Sequence, residues 1–419
     1  MRRLLLTSLL LVLGCSWVAG SADARTYMAP CVGPGKSGPM CHFWTARAVS
    51  INDGDTIGVR VDGQRRVWQV RFTGVQATEL HHYSQPWAGE CNSVEAAKRV
   101  QQLVRGSHHR VLLSAQHPGK RFTYRLGRWI AVKVHGHWRD LGALEMAEGH
   151  TLWMSDEQDT AWNKVYNRLG QQAEQKHIGL WDPTHCGVGP DQDVPLRVWV
   201  QWDPHGIDAS NMNDEWVKVQ NLSTTKSLPL THWWIRDSGL RRYTFPRDTV
   251  LHPGATITIH DGAGQNSATD LFWNIGAPVF QNIGDGAYLF DPQGDIRASM
   301  VYPCVVACSD PNQGALSISA QVRGQQFVQI ANVSDHPVNL YGYQLTAPGW
   351  PYDFGPNSVL QPGQTMRVDL DGAQAQDTQL DRHWGTPYPH LHRGGEAVRV
   401  NTFNGITIAC DSWGGASCS

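Results

Sequence analysis

Charged side chains are scarce. Asp, Glu, Lys and Arg make up 17 % of the 419 residues, too little for a disordered polyelectrolyte, while 41 % apolar residues suffice for sizeable cores. Long apolar runs are missing after residue 13, so no later segment is apolar enough to span a bilayer as a helix. The 42 glycines and 23 prolines follow no collagen period and indicate many turns instead. Glutamate nearly disappears from the second half: after Glu215 only Glu396 remains, and no catalytic constellation is visible there. The aspartates at Asp369, Asp371, Asp377 and Asp381 lack the spacing of an EF-hand loop and read as a solvated loop. What is present is length and asymmetry. At roughly 100–200 residues per domain, two to four domains are expected. Residues 25–190 carry 20 basic against 14 acidic side chains, residues 191–419 carry 13 against 22, and the net charge of −2 hides this division. A basic part joined to an acidic part points to different tasks, with a polyanionic partner for the first.

The N-terminus has the pattern of a signal peptide over residues 1–24. Arg2 and Arg3 precede the apolar run Leu4 to Leu13, and Ala22-Asp23-Ala24 offers a small-x-small cleavage site. The competing feature is Val12-Leu13-Gly14-Cys15, a passable lipoprotein box. Secretion is the expectation, with a lipid-modified Cys15 as the alternative. Eight cysteines remain after such cleavage, and an even number in an exported chain suggests disulfides. The spacings favour local staples at Cys31–Cys41, Cys304–Cys308 and Cys410–Cys418, leaving Cys91–Cys186 to close a long loop. Eight cysteines allow 105 connectivities, so these pairings stay open. Cys304 and Cys308 have no nearby second pair with a histidine, which argues against zinc.

Between residues 44 and 135 the chain is β-rich, with strands expected at Ala46 to Ile51, Thr56 to Val61, Val67 to Phe72, Arg110 to Gln116 and Trp129 to Val134. A helix is expected after Asn92-Ser93-Val94-Glu95, read as a capping box, with Val94, Ala97, Val100, Leu103 and Val104 on one face. Two more helices are expected at Leu141 to Glu148 and Glu157 to His177, the latter with Trp162, Val165, Tyr166, Leu169 and Ala173 on one face. This order fits a small closed barrel of the OB type over residues 25–190. A linker at 187–197 follows. Beyond it the sequence repeats at an offset of 109 to 111 residues. Glu215 to Asn221 resembles Gln326 to Asn332, Leu251-His252-Pro253-Gly254 resembles Leu360-Gln361-Pro362-Gly363, and Trp273 matches Trp384. Alternating strands of this length predict two β-sandwiches, at 195–310 and 314–419. The sequons at Asn221 and Asn332 share one position of the repeat, so a structural turn explains them more simply than glycosylation. The tryptophans Trp199, Trp202, Trp216, Trp233, Trp234 and Trp273 suit a sandwich core better than a sugar-binding surface.

Chemistry concentrates between Asp53 and Glu79. Hydrolysis of a phosphodiester needs a cation at the phosphate, a base for water, and neutralisation of transition-state charge. Asp55 is a hard oxygen ligand, Glu79 a candidate base, and Arg71 and Arg128 carry fork-shaped donors that match a phosphate. Singly these residues are ordinary: a tight turn, strand arginines, a surface glutamate. Together, Asp53-Gly54-Asp55-Thr56, Val70-Arg71-Phe72-Thr73-Gly74-Val75, Glu79, Glu95-Ala96-Ala97, Gly127-Arg128, Leu144 to Gly149 and Gly179-Leu180-Trp181 resemble the staphylococcal nuclease family over about 130 residues in the right order. The resemblance implies an OB barrel and Ca²⁺-dependent cleavage of nucleic acid. Asp55 would hold the ion with the Ala77 carbonyl, Glu79 would activate water, and Arg71 and Arg128 would bind the scissile phosphate. Gln76 stands where the family has a second metal-binding Asp, and its carbonyl is the third ligand expected here. Thr78 replaces a proline, Arg125-Leu126 a Lys-Tyr pair, and Trp153-Met154-Ser155 fills a stretch where the family has tyrosines. Lys120, Arg121 and Arg125, with Tyr124 and Trp129 nearby, suit single-stranded DNA or RNA. The histidine pairs His81-His82, His108-His109, and His135 with His137 read as surface rather than as metal ligands.

The repeat resembles the lamin-tail domain, an immunoglobulin-like sandwich, through Asn213-Asp214-Glu215-Trp216-Val217, Leu230 to Trp233, Pro253-Gly254 and Gly284-Asp285. The second copy is more diverged, with Gln326 for Glu215. The expected protein is an exported Ca²⁺-dependent nuclease whose sandwiches dock or tether it, for example on cell-envelope material. Two alternatives stand beside it: a nucleic-acid-binding protein disabled by Gln76, and an adhesion protein in which the barrel is accessory.

Overall fold

The computed structural model describes residues 26–32, 38–80, 89–203, 207–310, 312–347, 350–355, 357–371, 376–385, 391–402 and 405–418. The signal peptide, Cys15 and the His81-His82 pair lie outside the described residues.

The first domain runs β1 Tyr27–Pro30, β2 Met40–Ile51, β3 Thr56–Val61, β4 Val67–Phe72, β5 Val75–Ala77, α1 Ser93–Gly106, β6 Arg110–Ala115, β7 Arg121–Phe122, β8 Arg125–Val134, β9 His137–Asp140, α2 Leu141–Ala147, β10 Thr151–Trp153 and α3 Asn163–Gln175. Five strands close a barrel in the order β2-β3-β4-β8-β6 and back to β2. Closure is possible because β2 is 12 residues long and pairs with two neighbours, β3 and β6, with a register shift between Ala48 and Ser50. The β4–β8 contact is parallel and the other barrel pairings are antiparallel, as the OB type requires. Ile57, Val59, Val70, Phe72, Val111, Leu113, Ile130 and Val132 fill the interior. Trp129 joins them at 1 % exposure, so it is core and not the nucleic-acid-facing aromatic expected from sequence.

The helices correct three expectations. Asn92 is left-handed at φ 66° and makes no side-chain cap; its amide donates to the Gly149 carbonyl instead, tying α1 to the end of α2. The buried stripe of α1 is Ser93, Ala96, Val100, Leu103 and Val104, and Val94 faces solvent. Small Ala96, not Val94, meets the barrel because the chain comes very close there. The third helix starts at Asn163, not Glu157, because the Asp156 carboxylate accepts from the Gln158 and Asp159 amides and holds residues 156–159 in a turn. His108 and His109 have φ of 52° and 62° and form the turn between α1 and β6, while His135 with Gly136 makes the β8–β9 hairpin turn.

Each sandwich is two four-stranded sheets. In the first, Leu196–Gln201, Trp216–Asn221, Thr256–His260 and Asp270–Phe272 face Arg242–Thr244, Trp234–Arg236, Asp285–Phe290 and Ile296–Tyr302. In the second, Leu316–Gln321, Phe327–Asn332, Thr365–Asp369 and Asp381–His383 face Trp350–Asp353, Gln344–Ala347, Glu396–Asn401 and Thr407–Trp413 in the same order. The Asn221 amide donates to the carbonyls of Lys226 and Leu251, and that of Asn332 to those of His336 and Leu360. Both are buried turn residues. All four expected disulfides are present.

The first sandwich is docked on the barrel domain. Trp234, Tyr288 and Phe290 bury themselves with Leu152 and Leu180 in a separate apolar cluster, so Trp234 belongs to this interface and not to the sandwich core. Asn167 and Gln171 of α3 donate to the Pro303 carbonyl, which explains why two polar residues are buried on that helix. Among the described residues no helix is long and apolar enough to cross a membrane.

Candidate active site

The residues singled out by sequence converge at one rim of the barrel. Asp55 precedes β3, Arg71 ends β4, and Gln76 and Ala77 lie in β5, which pairs with β10 rather than with the barrel. The Asp53 carboxylate accepts from the Asp55 amide and tightens the turn before β3. Gly54 is obligatory there: a Cβ would lie 2.8 Å from both Ala77 Cβ and Ala96 Cβ. That close approach brings β5 and α1 against the Asp-Gly-Asp turn.

Asp55 is the hub. Its Oδ2 pairs with Arg71 Nη1 at 2.7 Å and accepts from the Ala77 amide at 2.8 Å, while Oδ1 accepts from Thr56 Oγ1 at 2.9 Å. Arg71 also donates to the Val75 carbonyl and to Gln76 Oε1. Gln76 Nε2 donates to the Ala77 carbonyl at 2.8 Å and to Glu79 Oε1 at 2.9 Å. Its amide group therefore stands between two oxygen acceptors, where a cation would otherwise join them.

Two carboxyl groups of the rim, Asp53 and Glu79, are raised. Burial first, and then the Asp55 charge, push Asp53 up to about 6. Burial, then the charges of Asp55 and Glu90, push Glu79 up to about 7, with Arg236 pulling the other way. Asp55, the Gln76 side-chain oxygen and the Ala77 carbonyl offer hard oxygens of the kind a divalent cation takes, whereas the carboxylates of Asp53, Asp55 and Glu79 do not gather into one cluster.

The cationic residues divide. Arg125 reaches Thr56 Oγ1 at 3.2 Å, beside Asp55. Arg128 points elsewhere: its guanidinium donates to the carbonyls of Pro118, Lys120 and Gly127 and lies 4.8 Å from the Trp44 ring centre. Burial lowers it to about 10. The register explains the difference, since Arg71 pairs with Gly127 and Arg128 falls on the opposite face with Phe72. Lys120 is turned inward onto Asp156, its side chain 8 % exposed. Arg121 is exposed and lies over Trp68, whose other neighbour is Arg66 at 3.9 Å. Arg66, Trp68, Arg121 and the 73 %-exposed Tyr124 form a basic, aromatic surface along β4 and β7. Sequence reading missed Arg66 and Trp68: Trp68 alternates with Val70 and Phe72 and packs against the barrel core at its edge, so the pattern reads as interior, and Arg66 precedes the strand. It also missed Glu90, whose Oε2 accepts from the Glu79 amide at 3.0 Å.

Cys91, Cys186 and His185 lie close together, but both sulfurs are in a disulfide and supply no thiolate ligand.

Residues 204–304 match the family model of the Lamin Tail Domain. No curated protein matches the chain.

Proposed function

We propose that the chain is an exported nuclease of the staphylococcal nuclease type, hydrolysing phosphodiester bonds of single-stranded DNA or RNA by cation-assisted attack of water. One observation carries this reading: Asp55, Arg71, Gln76, Ala77 and Glu79 form a single hydrogen-bonded group at the barrel rim. Glu79, pushed up to about 7, is suited to take a proton from water near neutral pH. Arg71 supplies two fixed donors where phosphate oxygens gain charge. Arg125 is the second cation at the site, and Arg128 acts indirectly by shaping the turn at 118–120. Arg66, Trp68, Arg121 and Tyr124 offer charge and stacking to a single strand leading to that rim.

The residues present fit Ca²⁺: Asp55 with the carbonyls of Gln76 and Ala77 would hold it. Bound there, the ion would acidify water and neutralise phosphate charge. The Gln76 amide must first turn its nitrogen away from Ala77 and Glu79, which weakens ion binding relative to an aspartate.

That same amide favours a second reading, a protein that retains nucleic acid without cutting it. The two separate in one experiment. Mature protein is incubated with single-stranded DNA and RNA in Ca²⁺ or chelator, beside Glu79→Ala and Gln76→Asp. Ca²⁺-dependent fragments that vanish in Glu79→Ala support the nuclease. Intact substrate, cleaved only by Gln76→Asp and retained with steep salt dependence, supports the binder. The second sandwich remains available for docking on envelope material.

A further inference from the structure

Building on the nuclease reading, we propose that the first sandwich completes the catalytic rim: Arg236 is a positioning residue that fixes the Glu79 backbone through Glu90. Arg236 Nε and Nη2 donate to the two oxygens of Glu90 at 2.9 and 2.8 Å, a bidentate pair with side chains 1 % and 2 % exposed. Glu90 in turn holds Glu79 from both sides, its Oε2 accepting from the Glu79 amide and its own amide donating to the Glu79 carbonyl at 2.9 Å. The chain of contacts therefore runs from a sandwich strand to the backbone of the candidate base without a gap.

The surroundings keep this path rigid. The Arg236 guanidinium lies 5.0 Å from the Phe290 ring centre and 5.9 Å from that of Tyr288, and its Nη1 donates to the Asp237 carbonyl. Next to Glu90, the Cys91 amide donates to the Gly294 carbonyl of the sandwich. A Cβ on Gly294 would lie 2.6 Å from the Gly89 carbonyl oxygen, so the two backbones are in direct contact. Adhesion between domains needs only the ion pair. The extra bond from Glu90 to the Glu79 amide is what passes the constraint to the site. Without Arg236, Glu90 is a buried charge left with the Glu79 amide and no ion-pair partner, and it gains hydration only by moving toward water and letting Glu79 go.

The test uses the full chain with Arg236→Met, Arg236→Lys, Glu90→Gln and the double variant Glu90→Gln/Arg236→Met. Two quantities are read: kcat and KM on single-stranded DNA with Ca²⁺, and hydrogen exchange of the Glu79 amide without substrate. Arg236→Met should lower kcat at least tenfold, change KM less than threefold and speed Glu79 exchange at least tenfold. Arg236→Lys should fall between, and the double variant should be no worse than the poorer single, because the two residues act as one unit. Folded Arg236→Met with kcat within twofold of wild type, or with unchanged Glu79 exchange, overturns the proposal. If that variant does not fold, Arg236→Lys decides by the same two readouts. If the wild type cleaves nothing, the nuclease reading fails separately, and unchanged exchange at Glu79 still overturns the positioning role.

Discussion

The two sandwiches share strand order, a parallel last strand and a buried asparagine turn, yet they present different faces to the rest of the molecule. In the first, the exposed side of the sheet formed by Trp234–Arg236 and Asp285–Phe290 carries Trp234, Arg236, Tyr288 and Phe290, all buried against the barrel domain. By strand register the second places Gln344, Thr346, Arg399 and Asn401 at those positions, all half-buried. The cores differ as well. In the first copy Glu215 Oε1 accepts from the amides of Val279 and Phe280, beside Asp261, which also accepts from Val279. In the second, Gln326 both donates to the Leu391 carbonyl and accepts from the Leu391 amide, and Leu370 follows the strand where Asp261 does in the first. One architecture has thus become two modules: one welded to the candidate site, the other with a polar face and an uncharged core position. The Lamin Tail Domain match covers only the first.

That contrast breaks most readily at the docking face. Phe290→Ala should destabilise the protein by about 3–5 kcal/mol through lost burial and a cavity, read by chemical denaturation. Asn401→Ala, its counterpart, should cost only about 1 kcal/mol, through its hydrogen bonds with Thr346 and Thr407. Equal losses would mean that the second sandwich is docked too. The shared turn predicts the opposite pattern. Asn221→Ala and Asn332→Ala should each lose about 1–3 kcal/mol, since each removes a buried amide that donates to two carbonyls. Unequal losses would show that the repeat is not one structural unit. The smallest expected effect concerns pH. Burial first, and then Glu215, hold the Asp261 carboxyl far above its ordinary range. An acid raised in the folded state stabilises fully below its unfolded pKa of about 4 and loses that contribution as pH rises toward the folded value. Exchange of the Val279 and Phe280 amides should therefore accelerate, beyond the intrinsic rise, as pH climbs from about 4 toward the folded value. Asp261→Asn should flatten that dependence, and the Leu391 amide of the second copy should show none beyond intrinsic exchange.

A similar physical division separates what the sequence revealed from what it concealed. The barrel strands, the domain order and three of the cysteine pairs were legible because they depend on local alternation, turn residues and short spacings, and Cys91–Cys186, 95 residues apart, was the pair left over. The Asp55–Arg71–Glu79 group was legible because its members lie within 25 residues of one another, in and beside consecutive strands. The side of β8 on which Arg128 falls was not, since the Gly-Arg motif does not say which residue faces Arg71; the parallel register does. Val94 was misplaced because hydrophobicity favoured it over Ala96, while a backbone approach at Gly54 demanded the smaller residue. Asp156 delayed α3 through side-chain hydrogen bonds that compete with helix. Glu90 and Arg236 are 146 residues apart in different domains, and no local pattern joins them.

That separation also has a meaning in time. A chain is made from its N-terminus at about 5–20 residues per second, so Arg236, 146 residues on, follows Glu90 by roughly 7–30 seconds. The barrel can close only once β8 has been made, and from then on it holds a carboxylate whose partner lies further along the chain. Glu90 has only the Glu79 amide and water as partners until the sheet bearing Arg236 has formed and closed over it. The order of synthesis thereby becomes an order of assembly, in which the rim holding Glu79 is among the first parts made and among the last to be locked.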